Sequence, residues 1–155
     1  MDAASVCHWL EQTGVGTNLR ESLWLFPAVE TVHLLGMALL VGTTTAFDLR
    51  LLGWALREYD ATEVRRRLLP WAWVGLAVQI ATGMMLFASE AVKLYGNLAF
   101  RLKMVLLVLA GVNALLFHWT GTGLARSGAG RKVAACVSLL LWLGIVTAGR
   151  FIGFV

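Results

Sequence analysis

Four long apolar runs divide the chain, and polar connections separate each run from the next. Each run is close to the length that an α-helix needs to cross a hydrocarbon core of about 30 Å at about 1.5 Å per residue. The third run reaches this length when its helix begins near Asn97. The pattern therefore predicts four membrane-spanning helices, at about residues 23–47, 68–88, 98–119 and 133–154.

The segments between the runs contain turn residues and charges, and the last of them is rich in glycine. Such composition predicts turns and loops rather than further domains. These connections cover residues 48–67, 89–100 and 120–132. The sequence has no internal repeat, so we expect one membrane domain over residues 1–155.

The first 20 residues mix apolar and polar positions in a way that predicts a short helix lying on the membrane interface. Gly14 and Gly16 weaken this helix. The predicted fold class is therefore all-α: an integral membrane four-helix bundle with a short N-terminal interfacial helix.

Composition agrees with a lipid environment, because 59% of the residues are hydrophobic and only 14% are charged. The net charge of +4 comes from short basic clusters beside apolar runs, which anionic lipid and topology explain without nucleic acid. Eight basic residues fall in the first and third connections and five on the other side. The positive-inside rule then predicts that both termini lie outside.

One face of the first span carries the strongest chemical signal. Glu30 and His33 are one turn apart on a helix, on a face that continues to Asp48. A carboxylate and an imidazole are costly in hydrocarbon, so they mark either a functional site or a buried ion pair. Glu30 and His33 are thus candidate catalytic groups. The alternative is that Glu30 pairs with Arg150, at a similar depth in the fourth span.

The second span places Gly75, Gln79 and Gly83 at four-residue steps. Small residues at this spacing are typical of close contact between membrane helices, and a glutamine among them is typical of one interhelical hydrogen bond. We therefore predict packing here rather than a cofactor slot.

Histidines on two different spans, with cations near span ends, are what a b-type haem requires. His33 and His118 are the candidate ligands of the metal, and Arg101, Lys103 and Arg150 are the candidate partners of the propionates.

The different depths of the two histidines argue against one haem that binds both. His33 lies about 12 Å and His118 about 25 Å from the same membrane face, at about 1.5 Å per residue. One iron does not easily bridge both histidines. Two alternatives stay open: separate haems, each with a methionine or a neighbouring subunit as second ligand, or a role for His118 at its helix end.

Other chemistry has no signature in this chain. There is no glycine loop for phosphates, no HExxH motif and no CxxC spacing between Cys7 and Cys136. The sequence therefore does not indicate hydrolysis or nucleotide use, and it leaves open whether the protein is an enzyme.

Three stretches carry a family resemblance: SLWLFPAVETVHLLGMALLVGTTTAFDLRLLG at 22–53, FRLK at 100–103 and AGRFIGF at 148–154. They resemble an uncharacterised family of small four-helix bacterial membrane proteins. The layout is also similar to bacterial cytochrome b561-like and copper-resistance D-type membrane proteins, in which histidines on a four-helix core bind haem. These resemblances imply the bacterial inner membrane and haem b. The chain departs from the cytochrome pattern because it has only two intramembrane histidines.

The leading hypothesis is a membrane-embedded b-type haem redox protein that passes electrons to or from a quinone or small acceptor. One rival is a small proton or ion transporter or channel that uses Glu30 and His33, and another is a non-catalytic scaffold subunit. A homo-oligomer is expected, because four short spans leave little room to enclose a site and small residues permit close helix contact.

Overall fold

The computed structural model describes the backbone of residues 3–119 and 128–154, and the side chains of these residues except 118 and 119. The described residues form helices and no strand. The helices are α1 (Ala3–Glu11), α2 (Gly14–Glu21), α3 (Leu25–Leu52), α4 (Ala61–Ser89), α5 (Ala91–Gly96), α6 (Leu98–Trp119) and α7 (Gly128–Phe151).

The helices α3, α4, α6 and α7 are long and apolar enough to cross a membrane, which confirms the four predicted spans and the all-helical fold class. The third span begins at Leu98, as expected. The side chain of Asn97 explains this start, because its Oδ1 accepts from the Phe100 amide at 3.0 Å. Its Nδ2 donates to the Ile152 carbonyl at 3.2 Å and so ties the start of α6 to the end of α7.

The first connection is shorter than predicted. Residues 48–67 were expected to be polar turns, but α3 continues to Leu52 and α4 begins at Ala61. Gly53 ends α3 in the left-handed region, with a φ of 77° that glycine adopts at low cost. Asp60 caps α4 by accepting from the Thr62 amide. Arg50, Glu63 and residues 65–67, which were predicted to lie in a connection, are therefore in the end turns of two long helices.

The N-terminal segment forms two short helices, which corrects the prediction of a single interfacial helix. Thr13 separates them and caps α2 by accepting from the Gly16 amide. Gly16 is buried because α2 lies against the end of α4: an added Cβ would be 2.6 Å from the Ala88 carbonyl oxygen. Glycine here permits a helix contact rather than weakening a helix. The predicted connection 89–100 likewise contains α5, and the Val92 amide of α5 donates to Glu11.

Helices α3 and α4 approach each other most closely at two glycines, Gly36 and Gly75. An added Cβ at Gly75 would lie 2.8 Å from the Leu40 amide nitrogen and 3.0 Å from the Gly36 carbonyl oxygen. An added Cβ at Gly36 would lie 2.6 Å from a Val78 methyl group. The predicted close packing of α4 through Gly75 is confirmed, because the two backbones approach where side chains are absent.

The remaining contacts set the order of helices around the bundle. Helix α3 packs on α4 and on α7, and α7 packs on α6. In the described part of the chain, α4 and α6 have no comparable backbone contact, although the rings of Phe87 and Phe100 stack between them with centroids 5.5 Å apart. The bundle therefore has one loosely closed edge, between α4 and α6.

Gly75→Ala should lower the free energy of unfolding by about 1–3 kcal/mol, because the new methyl group must push α3 and α4 apart. The matched control is Gly83→Ala on the same helix, where the methyl group would make an ordinary 3.4 Å contact with the His33 ring. Thermal unfolding of both variants in detergent checks the prediction. Equal stability of the two variants would contradict it.

Candidate functional site

His33 lies at the interface of α3 and α4, about 12 Å from the start of its helix at about 1.5 Å per residue. Its side chain is half-buried, and its Nδ1 lies 2.8 Å from Thr82 Oγ1. Thr82 is itself buried, and its hydroxyl donates to the Val78 carbonyl oxygen one turn earlier at 2.6 Å. The imidazole is thus held by a hydrogen-bonded chain that ends on the backbone of α4.

A second polar contact fixes the same turn of α3. Gln79 Nε2 donates to the backbone carbonyl oxygen of His33. This is the interhelical hydrogen bond that the spacing of Gly75, Gln79 and Gly83 predicted. Gln79 and Thr82 are on one side of α4, so the two bonds together set both the height and the rotation of His33.

Lys103 brings a positive charge to this region from α6. Its side chain is half-buried and lies against the backbone of α7, where an added Cβ on Gly149 would be 3.6 Å from Nζ. It lies at the same end of the bundle as His33, because α6 begins and α7 ends there. Lys103 forms no ion pair with any residue that the structure describes. An intramembrane cation without such a partner favours an anionic or electron-rich ligand.

These groups form one polar site near the end of the bundle that carries α1, α2 and α5. His33 is on α3, Thr82 and Gln79 are on α4, and Lys103 of α6 lies at the same end, against Gly149 of α7. Three of the four spanning helices therefore supply the polar side chains, and α7 supplies the backbone that Lys103 contacts.

Glu30 is not part of this site, although it precedes His33 by one turn. Its side chain is exposed on the surface of α3 and forms no described ion pair. The predicted pair between Glu30 and Arg150 is therefore wrong. Arg150 is also exposed and lies over the Phe154 ring, 5.0 Å from its centroid. Residues three apart on a helix differ by about 60° in direction, which is enough to turn Glu30 outward.

The other sequence candidates lie apart from His33. Arg101 is exposed on α6, two residues before Lys103. His118 is at the far end of α6, about 30 Å from Leu98 at about 1.5 Å per residue, and its side chain lies outside the described residues. The described part of the chain has no group of three His, Cys, Asp or Glu side chains that could hold a metal ion. The two histidines are thus placed toward opposite ends of the spanning helices.

Sequence reasoning missed Thr82 and gave Asp48 no role. A membrane threonine ordinarily bonds its own backbone, so nothing in the sequence marked Thr82 as a histidine partner. Asp48 is buried with 6% of its surface exposed, and it accepts a hydrogen bond from Ser138 of α7. Its Oδ2 has no hydrogen-bond partner in the described residues. Its position on the same face of α3 as His33 was the available signal.

The fold and the polar site define a small, multi-pass, all-helical membrane protein. The chain belongs to DUF6644, a family of unknown function, which it matches over residues 24–155. The match covers all four spanning helices and begins just before α3. No curated protein and no solved structure matches the chain. Membership of this family is therefore shown, whereas the likeness to cytochrome b561-like and copper-resistance D-type proteins stays a prediction.

Ser138→Ala should destabilise the protein more than Asp48→Asn does. The first change leaves a buried carboxyl group without its hydrogen-bond donor, at a cost of about 1–3 kcal/mol. The second keeps an acceptor for Ser138 and removes the charge. Thermal unfolding of the two single variants and of the double variant measures the coupling. A double variant whose loss equals the sum of the two single losses would show that the two side chains do not stabilise each other.

Proposed function

We propose that the protein is a redox protein of the bacterial inner membrane that binds haem b through His33 and exchanges electrons with a quinone or small acceptor. The observation that carries the proposal is the chain from His33 through Thr82 to the Val78 carbonyl. The surplus of basic residues in the first and third connections, at the end of the bundle opposite His33, supports an orientation with both termini outside.

The hydrogen bonds of Thr82 fix the tautomer of His33. A hydroxyl has one hydrogen, and that of Thr82 is directed to the Val78 carbonyl oxygen. Thr82 Oγ1 can then only accept from His33, so Nδ1 of the imidazole carries the hydrogen. Nε2 keeps its lone pair. Histidines that bind metals are typically held in this way, with the second ring nitrogen donating to a fixed acceptor.

Lys103 supports an anionic or oxygen-rich group beside the histidine. A propionate of a haem or the oxygen of a reduced quinone would each give the ammonium group the partner that the described residues do not supply. The loosely closed edge between α4 and α6 supports entry of a flat apolar molecule from the lipid. Haem, when bound, would supply a centre that accepts and releases one electron.

The described residues would hold a haem with one histidine ligand, His33, and one cation, Lys103. A second ligand would come from a methionine, among which Met37 and Met85 are half-buried. Otherwise it would come from a second copy of the chain, which agrees with the proposed homo-oligomer. Arg101 and Arg150 are exposed and are secondary candidates for the propionates.

A proton or ion pathway is the second candidate function, and two carboxyl groups on α3 favour it. Glu30 is exposed near one end of the helix and Asp48 is buried near the other, about 27 Å away at about 1.5 Å per residue. Intramembrane carboxyl groups are common in such pathways. His33 lies between them, but the described contacts do not join the three groups. A scaffold role based on a pair between Glu30 and Arg150 has lost its structural basis.

The test is the visible absorption spectrum of the detergent-purified protein, first oxidised and then reduced with dithionite. We expect a reduced b-type α-band that His33→Ala abolishes. His8→Ala is the matched control, because this histidine is exposed on α1 and should leave the band unchanged. His118→Ala decides whether the histidine at the far end contributes a ligand.

Thr82→Val distinguishes ligation by His33 from a purely structural role. Valine has the shape of threonine but cannot accept from Nδ1, so haem affinity should fall by about 10–100-fold while the fold is retained. The haem proposal fails if a folded, fully expressed protein is colourless when haem was supplied during growth. In that case, the transporter hypothesis is tested by comparing proton uptake into proteoliposomes that contain the parent protein, Glu30→Gln or Asp48→Asn.

A further inference from the structure

A cavity of about 280 Å³ opens at the end of the bundle opposite the His33 site. Its cationic side chains come from two helices that are far apart in the sequence: Arg50 near the end of α3, and Arg131 and Lys132 in the first turns of α7. Asp60 and Ala61 at the start of α4 form another wall, and Leu51 and Gly128 complete the lining.

The charge of this cavity is strongly unbalanced. Among the described residues that line it, Asp60 is the only carboxylate, against three cations. A hydrogen bond from the Thr62 hydroxyl is the main cause that holds the pKa of Asp60 below its usual value, so Asp60 is an anion at neutral pH. Arg131 and Lys132 form no ion pair with a residue that the structure describes. Two positive charges thus remain for a ligand.

The basic residues of this cavity come together in space, which membrane orientation alone does not require. The positive-inside rule needs only that basic residues be numerous on one side of the membrane. Here the contacts of the surrounding helices bring them to one place. The Nε of Arg50 donates to the Tyr59 carbonyl oxygen at 2.6 Å, which holds its guanidinium group beside the start of α4. The packing of α3 on α7 brings the first turns of α7 to the same place. The result is a concave basic site in which the Arg131 and Lys132 side chains stay exposed and open to a ligand.

We propose that this cavity binds a phosphate-bearing anion, the chemistry shared by anionic lipid headgroups and free phosphate. Guanidinium and ammonium groups are the usual partners of phosphate oxygens. Basic pockets between membrane helices bind the headgroups of anionic lipids. The cavity lies where spanning helices end, and Leu51 and Ala61 give it an apolar side. This site is separate from His33 and does not depend on the haem proposal.

The test titrates phosphatidylglycerol into the detergent-purified protein and counts bound lipid by native mass spectrometry, with phosphatidylcholine as the neutral comparison. The variant Arg131→Gln/Lys132→Gln should bind phosphatidylglycerol at least about tenfold more weakly. The matched control, Arg66→Gln/Arg67→Gln, removes the same charge from the start of another spanning helix. Those two arginines pair with Glu63 and do not line this cavity, so the control should bind as the parent does.

Calorimetric titration of inorganic phosphate identifies the source of the anion. Preference for phosphatidylglycerol that is lost only in the cavity variant assigns the site to a lipid headgroup. Binding of inorganic phosphate that is lost in the same variant, without preference between the two lipids, assigns it to free phosphate. The proposal is overturned if the cavity variant keeps its helical circular dichroism and binds both probes as the control variant does.

Discussion

The contact of α3 with α4 across Gly36 and Gly75 is the constraint on which the rest of the structure depends. A membrane offers little hydrophobic driving force between helices, so association requires close packing and polar bonds. At Gly75 the two backbones approach so closely that an added Cβ would be 2.8 Å from the Leu40 amide. Only this approach allows Gln79 and Thr82 to reach the His33 turn. The site is therefore a product of the packing and not an addition to it.

Polar groups inside the spanning helices differ in how well their hydrogen bonds are satisfied. The Thr82 hydroxyl bonds the His33 imidazole and Gln79 donates to the His33 backbone carbonyl, which reduces the cost of placing these groups in the membrane. Lys103 and Asp48 are different, because each is half-buried or buried without a full set of partners among the described residues. The described contacts therefore do not fully offset the cost of burying these two groups.

The number of spans and the α3–α4 contact could be predicted because both depend on local patterns: apolar runs of sufficient length, and small residues at four-residue steps. The position of His33 inside the bundle could be predicted because an imidazole is costly to expose to lipid. The outward position of Glu30 could not, because spacing fixes the angle between two residues and not the rotation of the helix in the bundle. The role of Thr82 depends on a neighbouring helix, and a single sequence carries no signal for that contact.

The short connection between α3 and α4, residues 53–60, joins the two helices that hold the imidazole. This helical hairpin is synthesised and inserted before α6 and α7 exist, and its glycine contact and hydrogen bonds need no later residue. The histidine is thus oriented early in biogenesis, whereas Lys103 arrives only with the third span. A ligand that needs both groups has no complete site until the second hairpin is inserted. The order of synthesis therefore separates the packing of the imidazole from the arrival of the ammonium group.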